Sequence, residues 1–377
     1  CIFIWCVEII DELRESEPSF YNRAITLKSA LLLVGSLAVA VGCAAIMHNG
    51  PADVAQNRPA HHMPDGTFVN TDGKAISKSF KDLLRWRWSR KEPAPQHFDV
   101  IQPDPDVIAK PAITQITWLG HSAFLLQVKG KNILTDPHFS KRASPLSFLG
   151  PERIVEPPMT IEELPHIDAV VISHNHYDHL DEASLTELYS RQQDNPPLFL
   201  VPLGLKEELS GYGIDQVVEL DWWEFHEYEG MTLTALPVKH WSQRTFFDRN
   251  KSLWAGWLID IEDFRIFHTG DSGYSDDFRK IGEDYPDIDL ATIPIGAYDP
   301  RWFMKDAHMS PEEAVQTFID LKAEKAIGMH WGTFILTDEE MDEPPVRLAE
   351  ALREKGIEAS NFPVMGHGEI YQVTHLD

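Results

Sequence analysis

Ala169-Val170-Val171-Ile172-Ser173-His174-Asn175-His176-Tyr177-Asp178-His179 is the stretch on which the fold turns. Its first five residues read as a buried strand, and the polar run begins where that strand must stop. Three imidazoles and a carboxylate within six residues crowd one another unless a tight loop splays them. His174 and His176, two apart on extended backbone, point to the same side and can grip one metal ion. Asp178 and His179, beyond the bend, are placed to grip a second ion beside it. Nitrogen and oxygen ligands without sulfur suit Zn²⁺ best, with other borderline divalent ions as alternatives.

The rest of the chain bounds what such a site can serve. Its 377 residues can bury a large core, and 43% hydrophobic with 24% charged residues is an ordinary globular composition. Lys and Arg number 33 against 59 Asp and Glu, a formal charge of −26. That field repels nucleic acid, so no nucleic-acid partner is expected. All three cysteines, Cys1, Cys6 and Cys43, precede the globular region, which therefore contains neither disulfide nor thiolate ligand.

The chain divides into residues 1–48, 49–110 and 111–377. In the first part, Arg23 and Lys28 flank an apolar run ending in Ala40-Val41-Gly42-Cys43, an export-signal pattern that resembles a bacterial lipobox with Cys43 as the lipidated residue. The competing reading is an uncleaved transmembrane helix over about 30–47. Both tether the domain to a membrane and place it there after export. Residues 1–22 read as a misplaced start or an upstream extension. Residues 49–110 read as a linker and N-terminal arm, in which His61-His62 is a surface pair rather than a metal site. Phe80–Arg90 forms a short amphipathic helix, suited to a membrane interface or to packing its aromatics on the main domain.

From residue 111 the pattern is short β-rich runs with outlying helices, which implies an α/β sandwich: two mixed sheets face to face, flanked by helices. Strands are expected at 113–119, 123–128, 132–135, 169–173, 198–201, 217–220, 231–238, 253–261, 264–268, 290–295 and 326–330. Helices are expected at 183–192, 276–282, 311–321 and 345–355. Ser310-Pro311-Glu312-Glu313 is a clear helix start. Further ligand candidates stand at successive strand ends: His240, Asp271 in His-Thr-Gly-Asp-Ser-Gly, and His330 in Met-His-Trp-Gly. One carboxylate, Asp271, can bridge both ions.

These residues, with Thr-Trp-Leu-Gly-His-Ser (117–122), Leu-Thr-Asp-Pro-His-Phe-Ser-Lys-Arg-Ala-Ser-Pro (134–145), Glu-Leu-Asp-Trp-Trp-Glu (219–224) and Pro-Arg-Trp-Phe-Met (300–304), carry a resemblance. The chain is similar, over about 113–372, to the metallo-β-lactamase superfamily and within it to the N-acyl-phosphatidylethanolamine-hydrolysing phospholipase D family. The resemblance implies an αββα fold and two Zn²⁺ per chain, one on His174, His176 and His240, the other on Asp178, His179 and His330, with Asp271 shared. It implies substrate contacts by Tyr177 and His308, and catalytic roles for Asp178, Asp271 and His308. Asp136 and His121 would hold the ligands from behind.

Two zinc ions, about 3.5–4 Å apart in such sites, acidify a bridging water to a pKa of about 7, and the hydroxide would attack phosphorus. The implied reaction is hydrolysis of N-acyl-phosphatidylethanolamine to N-acylethanolamine and phosphatidic acid, with a phospholipid substrate and a homodimer allowed. The membrane signal and, in the loop after Pro145, Leu146-Ser147-Phe148 depart from the vertebrate pattern. The rival readings are a lactonase or soluble-substrate phosphodiesterase on the same scaffold, and a non-catalytic metal-stabilised binding protein.

Overall fold

A computed structural model of the chain describes residues 59–373. Cys1, Cys6, Cys43 and the apolar segment around 30–47 lie outside the described residues. Among the described residues no helix is long and apolar enough to cross a membrane. The compact unit described below begins at His61; the unit before it, Phe3–Ala60, lies almost wholly outside the described residues.

The strands are β1 Gln115–Gly120, β2 Ala123–Val128, β3 Lys131–Thr135, β4 Ala169–Val171, β5 Leu198–Pro202, β6 Val217–Leu220, β7 Phe225–Tyr228, β8 Met231–Leu236, β9 Gly256–Ile261, β10 Phe264–His268, β11 Leu290–Pro294, β12 Lys325–Met329 and β13 Ile370–Gln372. The helices are α1 Phe80–Ser89, α2 Pro105–Ala109, α3 Glu182–Arg191, α4 Lys206–Gly211, α5 Asp277–Asp284, α6 Arg301–Met304, α7 Pro311–Leu321 and α8 Glu343–Lys355. Seven strands form one sheet in the order β13-β1-β2-β3-β4-β5-β6, and six form the other, β12-β11-β10-β9-β8-β7. Both sheets are mixed: β3 to β6 run parallel, as do β10 to β12, and the remaining pairs are antiparallel.

Alternation along each strand sorts residues between two cores. On β2, Phe124, Leu126 and Val128 face the inter-sheet core, while Ala123 and Leu125 face the outer layer of α3 and α4. On β5, Leu198 and Leu200 point in, Phe199 and Val201 out. A strand covered on both sides reads as a continuous apolar run, which is why β4 and β5 were legible without a polar face.

The structure departs from the expected elements in places with physical causes. β7 escapes the sequence pattern because it is an edge strand whose residues all keep some exposure, Phe225 60% exposed. Helix α8 begins at Glu343, ahead of the expected start, because Pro344 and Pro345 sit in its first turn, where no N–H is required. The arm after residue 60, read as a linker, lies bound along the domain. The Phe68 N–H donates to the Asn250 carbonyl (2.8 Å), the Ile101 N–H to the His367 carbonyl (2.8 Å), and the Trp86 indole to Asp338 (2.9 Å). His61 and His62, read as surface residues, are half-buried, each donating from Nε2 to a different oxygen of Asp221 at 2.7 Å.

Candidate metal centre

Strands β1, β3, β4, β8, β10 and β12 end at the same edge of the sandwich, and the loop after each delivers a polar side chain there. His121 follows β1, Asp136 follows β3, His174–His179 follow β4, His240 follows β8, Asp271 follows β10 and His330 follows β12. The carboxyl ends of parallel strands are the usual place for a site in α/β sheets, because side chains there need not fill the core. Three of these residues sit at positive φ, which side chains rarely adopt: His121 at 54°, Asp136 at 37° and His330 at 61°. Such strain persists only where surrounding structure holds it.

The side chains gather into two groups. His174, His176 and His240 form one, with His176 Nδ1 2.8 Å from His174 Nε2 and 3.3 Å from His240 Nε2. Asp178, His179, His330 and His121 form the other. There Asp178 Oδ2 lies 3.0 Å from His121 Nε2, 3.4 Å from His330 Nε2 and 3.5 Å from His179 Nε2. Asp271 stands between: its Oδ2 is 3.1 Å from His179 Nε2 and 3.9 Å from His240 Nε2, and its Oδ1 is 3.1 Å from His330 Nε2.

Hydrogen bonds at the rear of the rings choose which nitrogen faces inward. His240 Nδ1 donates to the Ala307 carbonyl (3.0 Å), His179 Nδ1 to Asp136 (2.8 Å) and His174 Nδ1 to the Ser173 hydroxyl (2.9 Å). Each is thereby held as the tautomer whose Nε2 lone pair points into the site. Asp136 is the hub: it also accepts from the Ser173 N–H (2.7 Å) and the Ser173 hydroxyl (2.6 Å), and His268 Nε2 lies 3.3 Å away. The sequence reading named Asp136 but missed Ser173 and His268. His268 carried a signal, a histidine three residues before Asp271 at the end of a strand.

These residues fit a divalent ion on three observations. His179 Nε2, His330 Nε2 and Asp271 Oδ1 are buried together with no well-aligned hydrogen-bond partner, each nitrogen held 3.1 Å from an Asp271 oxygen by charge alone, and an ion between them would satisfy all three. The nitrogens of the first group stand at 2.8 and 3.3 Å, close to the roughly 3.3 Å that tetrahedral bonds of about 2.0–2.1 Å impose. The donors are all imidazole and carboxylate, with no sulfur. The electrostatics agree with a site shaped for cations. Burial works against charge on Asp271 and Asp178, yet His179 and its neighbours hold both well below the usual carboxylate range. Against burial, the same carboxylates raise His179 and bring His330 up to about 9, protons taking the place that a cation would fill. Burial pushes His240 down to about 4, keeping it neutral and able to ligate.

Of the remaining predicted residues, His308 joins Asp271 and His240. Its Nδ1 is 3.8 Å from Asp271 Oδ2, and its backbone is fixed by the Arg301 guanidinium donating to its carbonyl (2.7 Å). Tyr177 turns away. Its hydroxyl donates to the Arg244 carbonyl (3.2 Å), its ring lies under the Arg244 guanidinium (4.0 Å), and it lines a separate cavity of about 620 Å³ with Arg142, Leu146, Tyr212 and Asp248. Arg244 also ties down the ligand loop by donating to the Asn175 (3.0 Å) and Leu180 (2.8 Å) carbonyls. Asn70, from the arm, brackets His240: it accepts from the His240 N–H and donates to the His240 carbonyl, both at 3.1 Å. No sequence signal marked Asn70.

Residues 131–331 match the family model described as the β-lactamase superfamily domain. The chain is 41% identical over 271 residues to N-acyl-phosphatidylethanolamine-hydrolysing phospholipase D 1 of Caenorhabditis elegans, covering 68% of this chain and 75% of that protein. It is 37% identical over 358 residues to an uncharacterised protein of Mycobacterium tuberculosis, covering 88% and 91% of the two chains. Among solved structures, a metallo hydrolase of the archaeon Ignicoccus hospitalis shares the fold, with a TM-score of 0.52 and 24% identity over 70% of this chain and 99% of that one.

Proposed function

The chain belongs to the metallo-β-lactamase superfamily, in the family of N-acyl-phosphatidylethanolamine-hydrolysing phospholipase D, and on that premise we propose a substrate and a reaction. This metal-dependent hydrolase cleaves N-acyl-phosphatidylethanolamine. Water adds to phosphorus, the bond from phosphorus to the ethanolamine oxygen breaks, and the proton from water ends on that oxygen. N-acylethanolamine leaves and phosphatidic acid remains. The observation that carries the reading is the 41% identity to the nematode enzyme across three quarters of its length, beside a family match over 131–331 that contains the ligand set from His174 to His330.

His174, His176 and His240 would hold one Zn²⁺, and Asp178, His179 and His330 another, with Asp271 common to both. When bound, the ions supply a water acidic enough to react near neutral pH and offset the charge that builds on the phosphoryl oxygens. The protein's own part is preorganisation. Asp136 and Ala307 lock the imidazole tautomers, and His121 fixes Asp178 by its Nε2 hydrogen bond. His308 Nδ1 has no hydrogen-bond partner and faces Asp271 from a ring that is 15% exposed. Burial pushes His308 down to about 3, so it stays neutral and is placed to donate a hydrogen bond to a phosphoryl oxygen or to the departing ethanolamine oxygen. The apolar segment ahead of residue 48 tethers the enzyme to a membrane, where a phospholipid is concentrated.

The test is release of N-acylethanolamine from N-acyl-phosphatidylethanolamine by purified full-length protein of measured zinc content, with His308→Ala alongside. No release from protein that carries metal would sink the proposal. Turnover of lactones or of bis(p-nitrophenyl) phosphate, with none of the phospholipid, would move the assignment to a soluble substrate.

A further inference from the structure

Helix α1 has two apolar faces, and the fold uses one of them. Leu83 and Trp86 turn inward: Trp86 is 1% exposed and stacks on Phe303 with ring centroids 5.0 Å apart. On the other side Phe80, Leu84 and Trp88 recur at i, i+4 and i+8, one stripe along the helix. Phe80 is 62% exposed and Trp88 86%. Single exposed apolar residues need no explanation, but an aligned stripe of them does.

The charge beside that stripe runs against the rest of the molecule. The chain carries −26, yet residues 78–91 hold six Lys or Arg against one acid, Asp82, whose carboxylate is engaged by the Ser79 hydroxyl at 2.6 Å. Lys78 and Arg90 pair with Asp306 (2.7 Å) and Asp338 (3.7 Å), and Lys81 and Arg85 are the cations beside the stripe. Lys81 and Arg85 are exposed and follow Phe80 and Leu84 by one position each, so the cations border the apolar stripe. Solubility does not call for a basic island on an acidic body. An anionic surface does, and it feels the island alone, because charges beyond the Debye length of about 8–10 Å are screened. Aromatic side chains flanked by Lys and Arg are the composition that settles at the boundary of headgroups and acyl chains.

We infer that the outer face of α1 docks on an anionic phospholipid bilayer, with Phe80, Leu84 and Trp88 entering the boundary region and Lys81 and Arg85 meeting lipid phosphates. The surface is coupled to the metal centre through its other side. Trp86 stacks on Phe303, and the Arg85 guanidinium lies 4.3 Å over the Trp302 ring, both partners on α6, four residues ahead of His308. A docked bilayer would steady the element that carries His308. For its purpose, though not for its physical basis, this surface rests on the phospholipid-hydrolase reading.

The test uses the full chain on vesicles of brominated phosphatidylcholine containing phosphatidylglycerol, where bromine quenches only tryptophans that reach the bilayer. Trp88→Phe keeps the apolar stripe and should remove a distinct share of the quenchable emission; equal quenching in both proteins would overturn the surface. Neutralising two interfacial cations weakens docking on the order of thirtyfold, and Lys81→Glu/Arg85→Glu should lower it by at least that. Raising ionic strength from about 0.1 M to 1 M should do the same. Quenching that is indifferent to these charges, or to omission of phosphatidylglycerol, would also overturn it, even with the N-terminal segment holding the chain on the vesicle. Zinc content should match wild type in all variants, and release of N-acylethanolamine from detergent-dispersed substrate should match it in Trp88→Phe, which leaves the Arg85 contact to Trp302 in place. Docking without any release would overturn the substrate reading alone, and release without docking this surface alone.

Discussion

Asn70 lies 170 residues before His240 in the chain, yet it clamps that ligand's peptide unit from both ends. Replacing it with alanine leaves the His240 N–H and carbonyl without their partner in a place where the histidine is 0% exposed and Asn70 only 3%. Trp254 loses one acceptor at 3.1 Å but keeps the Val238 carbonyl at 2.9 Å, so it adds little. Two buried backbone groups left unpaired, at about 1–3 kcal/mol each, place the loss near 3 kcal/mol after partial relaxation. Spread over a domain of this size, that is a fall in Tm of about 4–5 °C. The sharper consequence is at the metal. The His240 ring reaches His176 only from its present backbone position, so Asn70→Ala should weaken binding of a divalent metal, assayed with zinc, about 10–100-fold, as loss of a group supporting a ligand does. Competition with a chelating dye measures the affinity, and differential scanning fluorimetry the stability. A lower Tm with unchanged zinc affinity would refute the reasoning and reduce Asn70 to a fastener of the arm.

Asp136→Asn should keep the fold but cost about 10–100-fold in metal affinity, because an amide cannot accept from Ser173 and His179 together as the carboxylate does; full metal content at limiting zinc would contradict this. Gly296→Ala places a Cβ 2.0 Å from the His330 carbonyl oxygen, a backbone atom that cannot swing aside. The resulting shift should destabilise by about 1–3 kcal/mol and displace His330, and an unaltered Tm with full metal content would count against it. His367, packed on Trp118 with centroids 4.2 Å apart, is pushed down to about 4 by burial and then by Arg153. Its unfolded value is about 6.5, so the unfolded chain takes up the proton first. Stability is therefore complete above pH 6.5 and declines as the pH falls towards 4, by about 2 kcal/mol at pH 5. Urea denaturation at pH 7 and pH 5 should show that loss in the wild type and less of it in His367→Phe; equal losses would refute the assignment.

Much of the fold was legible because the two sheets impose local patterns. β2, β6 and β10 stand where the apolar runs placed them, and α7 starts at its capping box of Ser310 and Glu313. The strand ends then pointed to the ligand candidates, since a histidine or aspartate just after an apolar run has left the core. β7 was missed because it lacks a buried face, and the packed arm because it is held by isolated residues such as Asn70 and Trp86 with no repeating period. The orientation of Tyr177 was also out of reach: neighbours in sequence on a tight loop diverge, and the Arg244 guanidinium over its ring settled which way it turned.

From the sequence alone follow the class of fold, the nitrogen and oxygen donor set, and the family to which those residues belong. These depend on short-range periodicity and on residue chemistry, both written along the chain. Only the tertiary structure decided that Asp271 stands between two clusters, that Asp136 anchors Ser173 and His179 at once, and that one face of α1 is left outward. Those facts depend on distances between residues tens to hundreds of positions apart, and on the rotation of each side chain about its own bonds. Packing sets both, and no local pattern records them.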